Sequence, residues 1–215
     1  MSREALHAAD FPWLFFLAAL DVFILLLVLF PEMLTGRALA SIPGYGRLMA
    51  VALIPIPTLL LGAALPNSLK ASLIYWRIRY AAPEHWAFTK YAAADPRVDM
   101  AALRENVGAL PDNPEAQNKL WRKLYHQVDM VLAVVESHRA YLLFRDMAAI
   151  SFLVAVFVLT ALLVTHAKQT QIWGCATILS VQYFVIAFTA RRSGIRFVGA
   201  VLAQHGTKRA RPQPA

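Results

Sequence analysis

The chain has 215 residues, 59% hydrophobic and 16% charged, with a formal net charge of +8, which is too apolar for an ordinary soluble domain. A single cysteine, Cys175, excludes an intrachain disulfide and a cysteine metal centre. The basic excess does not mark nucleic-acid binding, because Lys70, Arg77, Arg79, Arg139, Arg145, Arg191, Arg192 and Arg196 lie beside apolar runs, where topology and anionic lipid headgroups account for them.

Four apolar runs, at residues 11–30, 46–65, 147–165 and 171–190, each approach the ~20 residues that a helix needs to cross a ~30 Å hydrocarbon core. They predict an all-α integral membrane protein: a four-helix transmembrane bundle with a cytoplasmic helical module between spans 2 and 3. Placing the N-terminus, residues 66–146 and the C-terminal tail inside puts 18 of the 21 Lys and Arg there, with Arg37, Arg47 and Lys168 outside, as the positive-inside rule expects. The chain then divides into 1–65, spans 1 and 2 with a short outer loop; 66–146, the module; 147–190, spans 3 and 4; and 191–215, an amphipathic extension and a disordered basic tail. A bacterial inner membrane, with both termini cytoplasmic, is the expected location.

Span 1, Phe11 to Phe30, reads as retained rather than cleaved, since Arg3 is balanced by Glu4 and Phe30-Pro31-Glu32 offers no small-residue cleavage site. Its only charge is Asp21, and a carboxylate at that depth costs ~2.5–3.5 kcal/mol on insertion scales. Span 2 carries Pro55 and Pro57 in its middle, which predicts a kink with unpaired carbonyls. Ser180 and Gln182 of span 4 sit at similar depth. Asp21, Pro55, Pro57, Ser180 and Gln182 therefore form a predicted intramembrane polar cluster, serving interhelical packing or, alternatively, an ion path.

Beyond span 2, residues 68–80 read as an interfacial helix, with Leu69, Leu73, Ile74, Tyr75, Trp76 and Ile78 toward the boundary layer and Lys70, Arg77 and Arg79 toward headgroups. A short helix is predicted from Pro83 to about Ala93, and another from an Asp99 N-cap to Gly108. Asn113 or Asp112 caps the next, with Pro114 in its first turn. From Pro114 to about Lys168 there is no internal Pro or Gly, which predicts one nearly continuous helix running into span 3. Trp121, Leu124, Val128, Val131, Val135 and Leu142, with His138 and Arg145 in the same register, form a helix-seam pattern that predicts an interface. Ile195, Val198, Val201, Leu202 and His205 continue a stripe beyond span 4.

Arg77, Arg79, Arg139, Arg145, Arg191 and Arg192 are the predicted membrane-interface residues for anionic lipid. No HExxH, glycine-rich phosphate loop, G-x-S-x-G or paired cysteine is present. Glu84 and His85, being adjacent, project to different faces of a helix. In Trp121-Arg122-Lys123-Leu124-Tyr125 the aromatic and basic side chains fall on different faces, as in a packed amphipathic helix rather than a nucleic-acid surface. No catalytic residue, metal site or cofactor is therefore expected. The sequence points to a non-catalytic membrane subunit whose partners are the bilayer and either its own copies or another protein of a membrane complex. A small channel or transporter using the Asp21 region is the alternative, and a membrane-embedded enzyme the third reading.

Overall fold

A computed structural model describes residues 62, 64–164 and 166–207. All but a few residues of the first two predicted spans lie outside this set, as do Asp21, Pro55, Pro57 and the tail 208–215. Among the described residues the regular structure is entirely helical: α1 (Asn67–Tyr75), a 3-10 turn (Pro83–Trp86), a π-helical segment (Ala87–Ala92), α2 (Met100–Val107), α3 (Pro114–Val128), α4 (Leu132–Val164) and α5 (Gln169–Thr207). Two of them, α4 with 33 residues and α5 with 39, are long and apolar enough to cross a membrane.

Local capping chemistry explains the short helices. Asp99 accepts from the N–H groups of Ala101 and Ala102 at the start of α2, and Asn113 accepts from Glu115 and Ala116 at the start of α3, where Pro114 takes the first position. Those are donors that a helix cannot satisfy internally. At the far end of α2, Gly108 adopts φ +87° and its N–H reaches the Arg104 carbonyl at 2.9 Å, a stop that an L side chain would strain.

Helix α1 ends at Tyr75, short of the predicted 80. Trp76 takes a left-handed conformation, φ +53°, while its N–H bonds the Ser72 carbonyl at 2.8 Å, and the Arg191 guanidinium lies 4.3 Å from its ring centre. That cation–π contact offsets the left-handed cost of a bulky residue and fixes the helix end. Lys70, expected at headgroups, is buried instead. The predicted helix from Pro83 is a 3-10 turn followed by a π-helical segment.

The predicted continuous helix from Pro114 to the end of span 3 is not formed: residues 129–131 break it. The Tyr125 hydroxyl and His138 Nδ1 are hydrogen-bonded at 3.0 Å, yet thirteen residues of unbroken helix would hold them ~20 Å apart. Three-residue bonds, Val131 N–H to Val128 O and Val134 N–H to Val131 O, turn the chain back. No proline or glycine is needed, because the reversal lets Trp121, Leu124 and Val128 of α3 share one core with Val134 and Tyr141 of α4. By contrast, the fourth apolar run and its extension form the single helix α5.

The described residues fall into two compact units, one containing 67–145 with 188–207 and the other 62, 64–66, 146–164 and 166–187. The first, a helical module, is built on Phe88, Leu103, Trp121, Leu124, Val134, Phe197, Val198, Val201 and Leu202. Gly194 lets α5 pass close to its neighbours there: a methyl group at this position would strike the Tyr75 hydroxyl and the Tyr141 ring. In the second unit, Ile150, Val154, Val158 and Leu162 of α4 meet Cys175 and Leu179 of α5. Outward from that seam Val156, Phe157, Trp173, Val181, Phe184 and Val185 are exposed.

Candidate functional site

The helical module contains a cleft of about 460 Å³, within the size range of small-molecule sites. Its acidic and basic lining residues are Glu84, His85, Arg122, His126, His138 and Arg145, and Asn67 and Ser68 at the start of α1 also line it. The inner wall is aromatic. Trp121 stacks on Tyr125 with centroids 5.6 Å apart, Phe197 meets both edge-on, and His138 lies parallel to Phe197 at 4.5 Å.

A chain of hydrogen bonds orients one basic residue of this cleft. The Pro114 carbonyl lies 3.1 Å from His85 Nδ1, so that nitrogen donates. Arg122 Nε donates to Asn118 Oδ1 at 3.1 Å, which fixes the amide orientation and directs Asn118 Nδ2 toward His85 Nε2 at 3.4 Å. His85 Nε2 is then the acceptor, and the imidazole is the Nδ1–H tautomer. The relay Pro114–His85–Asn118–Arg122 engages only Nε of the guanidinium, and the two terminal amino groups have no hydrogen bond among the described residues.

Glu84 adds a carboxyl to the same cleft. Burial pushes it above the usual carboxylate range, against the pull of its own backbone N–H, the His85 imidazole and the guanidinium groups of Arg122 and Arg145. At one side Tyr80, φ +51°, is tethered at two points: its hydroxyl donates to Glu115 at 2.9 Å and its carbonyl accepts from the Trp86 indole at 2.9 Å. The Glu115 carboxylate raises the Tyr80 phenol above its ordinary value.

The predicted lipid-facing arginines have diverse environments. Arg77 stacks over Trp86 at 5.0 Å, Arg192 over Phe188 at 4.8 Å, and Arg191 donates to the Ile74 carbonyl at 3.1 Å while covering Trp76. Arg79 is exposed, Arg139 half-buried, and Arg145 lines the cleft. Of the seam residues, Trp121, Leu124 and Val128 are buried in the module core, and Val131, Val135, His138 and Leu142 are half-buried. Ser180 is exposed and Gln182 half-buried; the Asp21 proposed to meet them lies outside the described residues.

Sequence reasoning missed Glu84, His85, Asn118 and Arg122 as one constellation. The i,i+4 spacing of Asn118 and Arg122 was a local signal; nothing local joins them to His85. Among the described residues no three His, Cys, Asp or Glu side chains gather as a metal-binding group. No protein-family model, curated protein or solved structure matches the chain.

Proposed function

We propose that this chain is a non-catalytic, four-span subunit of a bacterial inner membrane that assembles with itself or with a partner protein and couples its cytoplasmic helical module to its spans. The observation that carries the coupling is the double membership of α4 and α5. Helix α4 gives Val134 and Tyr141 to the module core and Ile150 to Leu162 to the apolar pair; α5 gives Cys175 and Leu179 to that pair and Phe197 to Leu202 to the module. On this reading a shift or rotation of a helix that contributes to both cores is felt in each, because packed cores switch between discrete arrangements rather than deform gradually. The apolar side chains exposed along residues 156–185 suit hydrocarbon or a neighbouring span better than water.

Native mass spectrometry of the full chain in gentle detergent tests assembly, and labelling of single cysteines on a Cys175→Ser background tests topology. Oligomeric species or a co-purifying protein are expected, with Thr170→Cys and Ser41→Cys labelled from outside intact cells and Asn113→Cys protected. A strict monomer without a partner refutes the assembly reading, and outside labelling at position 113 refutes the topology.

A further inference from the structure

Arg122 is exposed, and an exposed arginine ordinarily keeps its rotamer freedom, since ordering so long a side chain costs up to ~2 kcal/mol. Here three hydrogen bonds in series hold its Nε from the rear, while NH1 and NH2 remain available in a cleft that Arg145 also lines. A guanidinium presents its donors as a planar fork matched to two oxygens of one oxyanion. We propose that this cleft binds a phosphate group, gripped by Arg122 with Arg145 adding positive charge to the lining, carried by either a soluble phosphate compound or a lipid headgroup.

Further features of the cleft fit this ligand. His126 and His138 add imidazoles to the lining, Asn67 and Ser68 add neutral polar side chains, and the volume admits a phosphate with a small substituent. Burial holds the carboxyl of Glu84, the one carboxyl in the described lining, above the usual carboxylate range, which favours an anion more than an unperturbed carboxylate would. Asn67 and Ser68 also lie just past the second apolar run, after Pro66, which makes a headgroup a source of the phosphate alongside a soluble compound. The site does not depend on whether the chain assembles.

Full-length protein in a non-ionic detergent is titrated with inorganic pyrophosphate by calorimetry, and separately mixed with phosphatidylglycerol in phosphatidylcholine micelles and analysed by native mass spectrometry. Saturable pyrophosphate binding assigns a soluble phosphate compound; selective retention of phosphatidylglycerol without pyrophosphate binding assigns a headgroup. In either case Arg122→Gln weakens binding about tenfold or more, the range of a charge-assisted bidentate contact. Asn118→Ala keeps the charge and frees the fork, weakening binding about two- to fivefold through lost preorganisation. Arg79→Gln, an exposed cation that does not line the cleft, changes neither probe. Because both Arg122 and Arg79 are exposed, their variants should retain the wild-type melting temperature. The proposal is overturned if neither probe binds saturably, if Arg122→Gln binds like wild type, or if Arg79→Gln weakens binding as much as Arg122→Gln does.

Discussion

Replacing Gln117 with leucine tests the joint that holds the 3-10 and π-helical turns against α3. Gln117 is fully buried. Its Oε1 accepts from the N–H groups of Phe88 at 3.0 Å and Thr89 at 3.3 Å, and its Nε2 donates to the Asp112 carbonyl at 3.0 Å and the Thr89 hydroxyl at 3.0 Å. These partners fix the amide orientation, since only a carbonyl can receive two N–H groups and only an amino group can approach a carbonyl oxygen. Phe88 and Thr89 lie in the first turn of the π-helical segment, where backbone donors lack intrahelical partners, so a side chain 29 and 28 residues away in sequence acts as their cap. Gln117→Leu preserves the volume and strands the buried Phe88 N–H, at about 1–3 kcal/mol. Each of the two part-buried backbone contacts, at Thr89 N–H and Asp112 O, adds about 0.5–1.5 kcal/mol, reduced where water reaches the group. The sum, about 2–6 kcal/mol before water reduces the part-buried contributions, predicts a melting temperature lowered by about 8 °C or more for a module of this size. Scanning fluorimetry reads it through Trp86 and Trp121, and hydrogen exchange should quicken at amides 88 and 89. Thr89→Val removes only the hydroxyl and should cost about 1 kcal/mol or less. A Gln117→Leu protein with wild-type melting and unchanged protection at those amides would refute the capping argument.

Gly194→Ala should destabilise the module by about 1–3 kcal/mol through overpacking, because the added methyl meets the buried Tyr75 and Tyr141. Gly199→Ala meets the ends of the Asp95 and Arg97 side chains instead and should cost clearly less; equal melting losses would contradict the packing account. For pH, the Arg97 hydrogen bonds hold the Asp95 carboxyl below its usual range, so the bonded carboxylate favours the folded state above the unfolded carboxyl pKa of about 3.9. That contribution is lost as pH falls through the lower folded value. Acid unfolding below about pH 4 should therefore be less steep in Asp95→Asn, and parallel wild-type and variant curves would exclude the pair as a contributor.

Where the sequence was legible, the physics was local. Asp99, Gly108, Asn113 and Pro114 each act within three or four residues of their own position, and the structure uses all four as helix boundaries. The stripe at 195, 198, 201, 202 and 205 was legible because a helical repeat needs no knowledge of the partner surface, and all of it is buried except Ile195, which is half-buried. Illegible features depend on segments far apart in sequence. The early end of α1 rests on Arg191 beside Trp76, and the cleft joins residue 85 to 114, 118 and 122. No periodicity over a window of 11–18 residues carries that information.

The turn at 129–131 shows how one tertiary choice alters the meaning of a correctly recognised pattern. The predicted seam continued through 135 and 142, but after the turn the buried positions on α4 are 134 and 141, each one residue earlier. A three-residue interruption removes the helical phase relation between the two halves, and each half then turns its own best apolar face inward. Val128, with 2% of its surface exposed, lies in the core of its own chain. Val128→Asp would bury a charge without a partner at this position, with a destabilisation of several kcal/mol. Loss of oligomers in that variant would report unfolding of the module and carry no information about an assembly surface. Leu132 and Met130, which are 70% and 89% exposed at the same turn, separate the two effects. Aspartate at either position leaves the core intact, so a change in oligomer size there, with melting unchanged, implicates the turn itself in assembly.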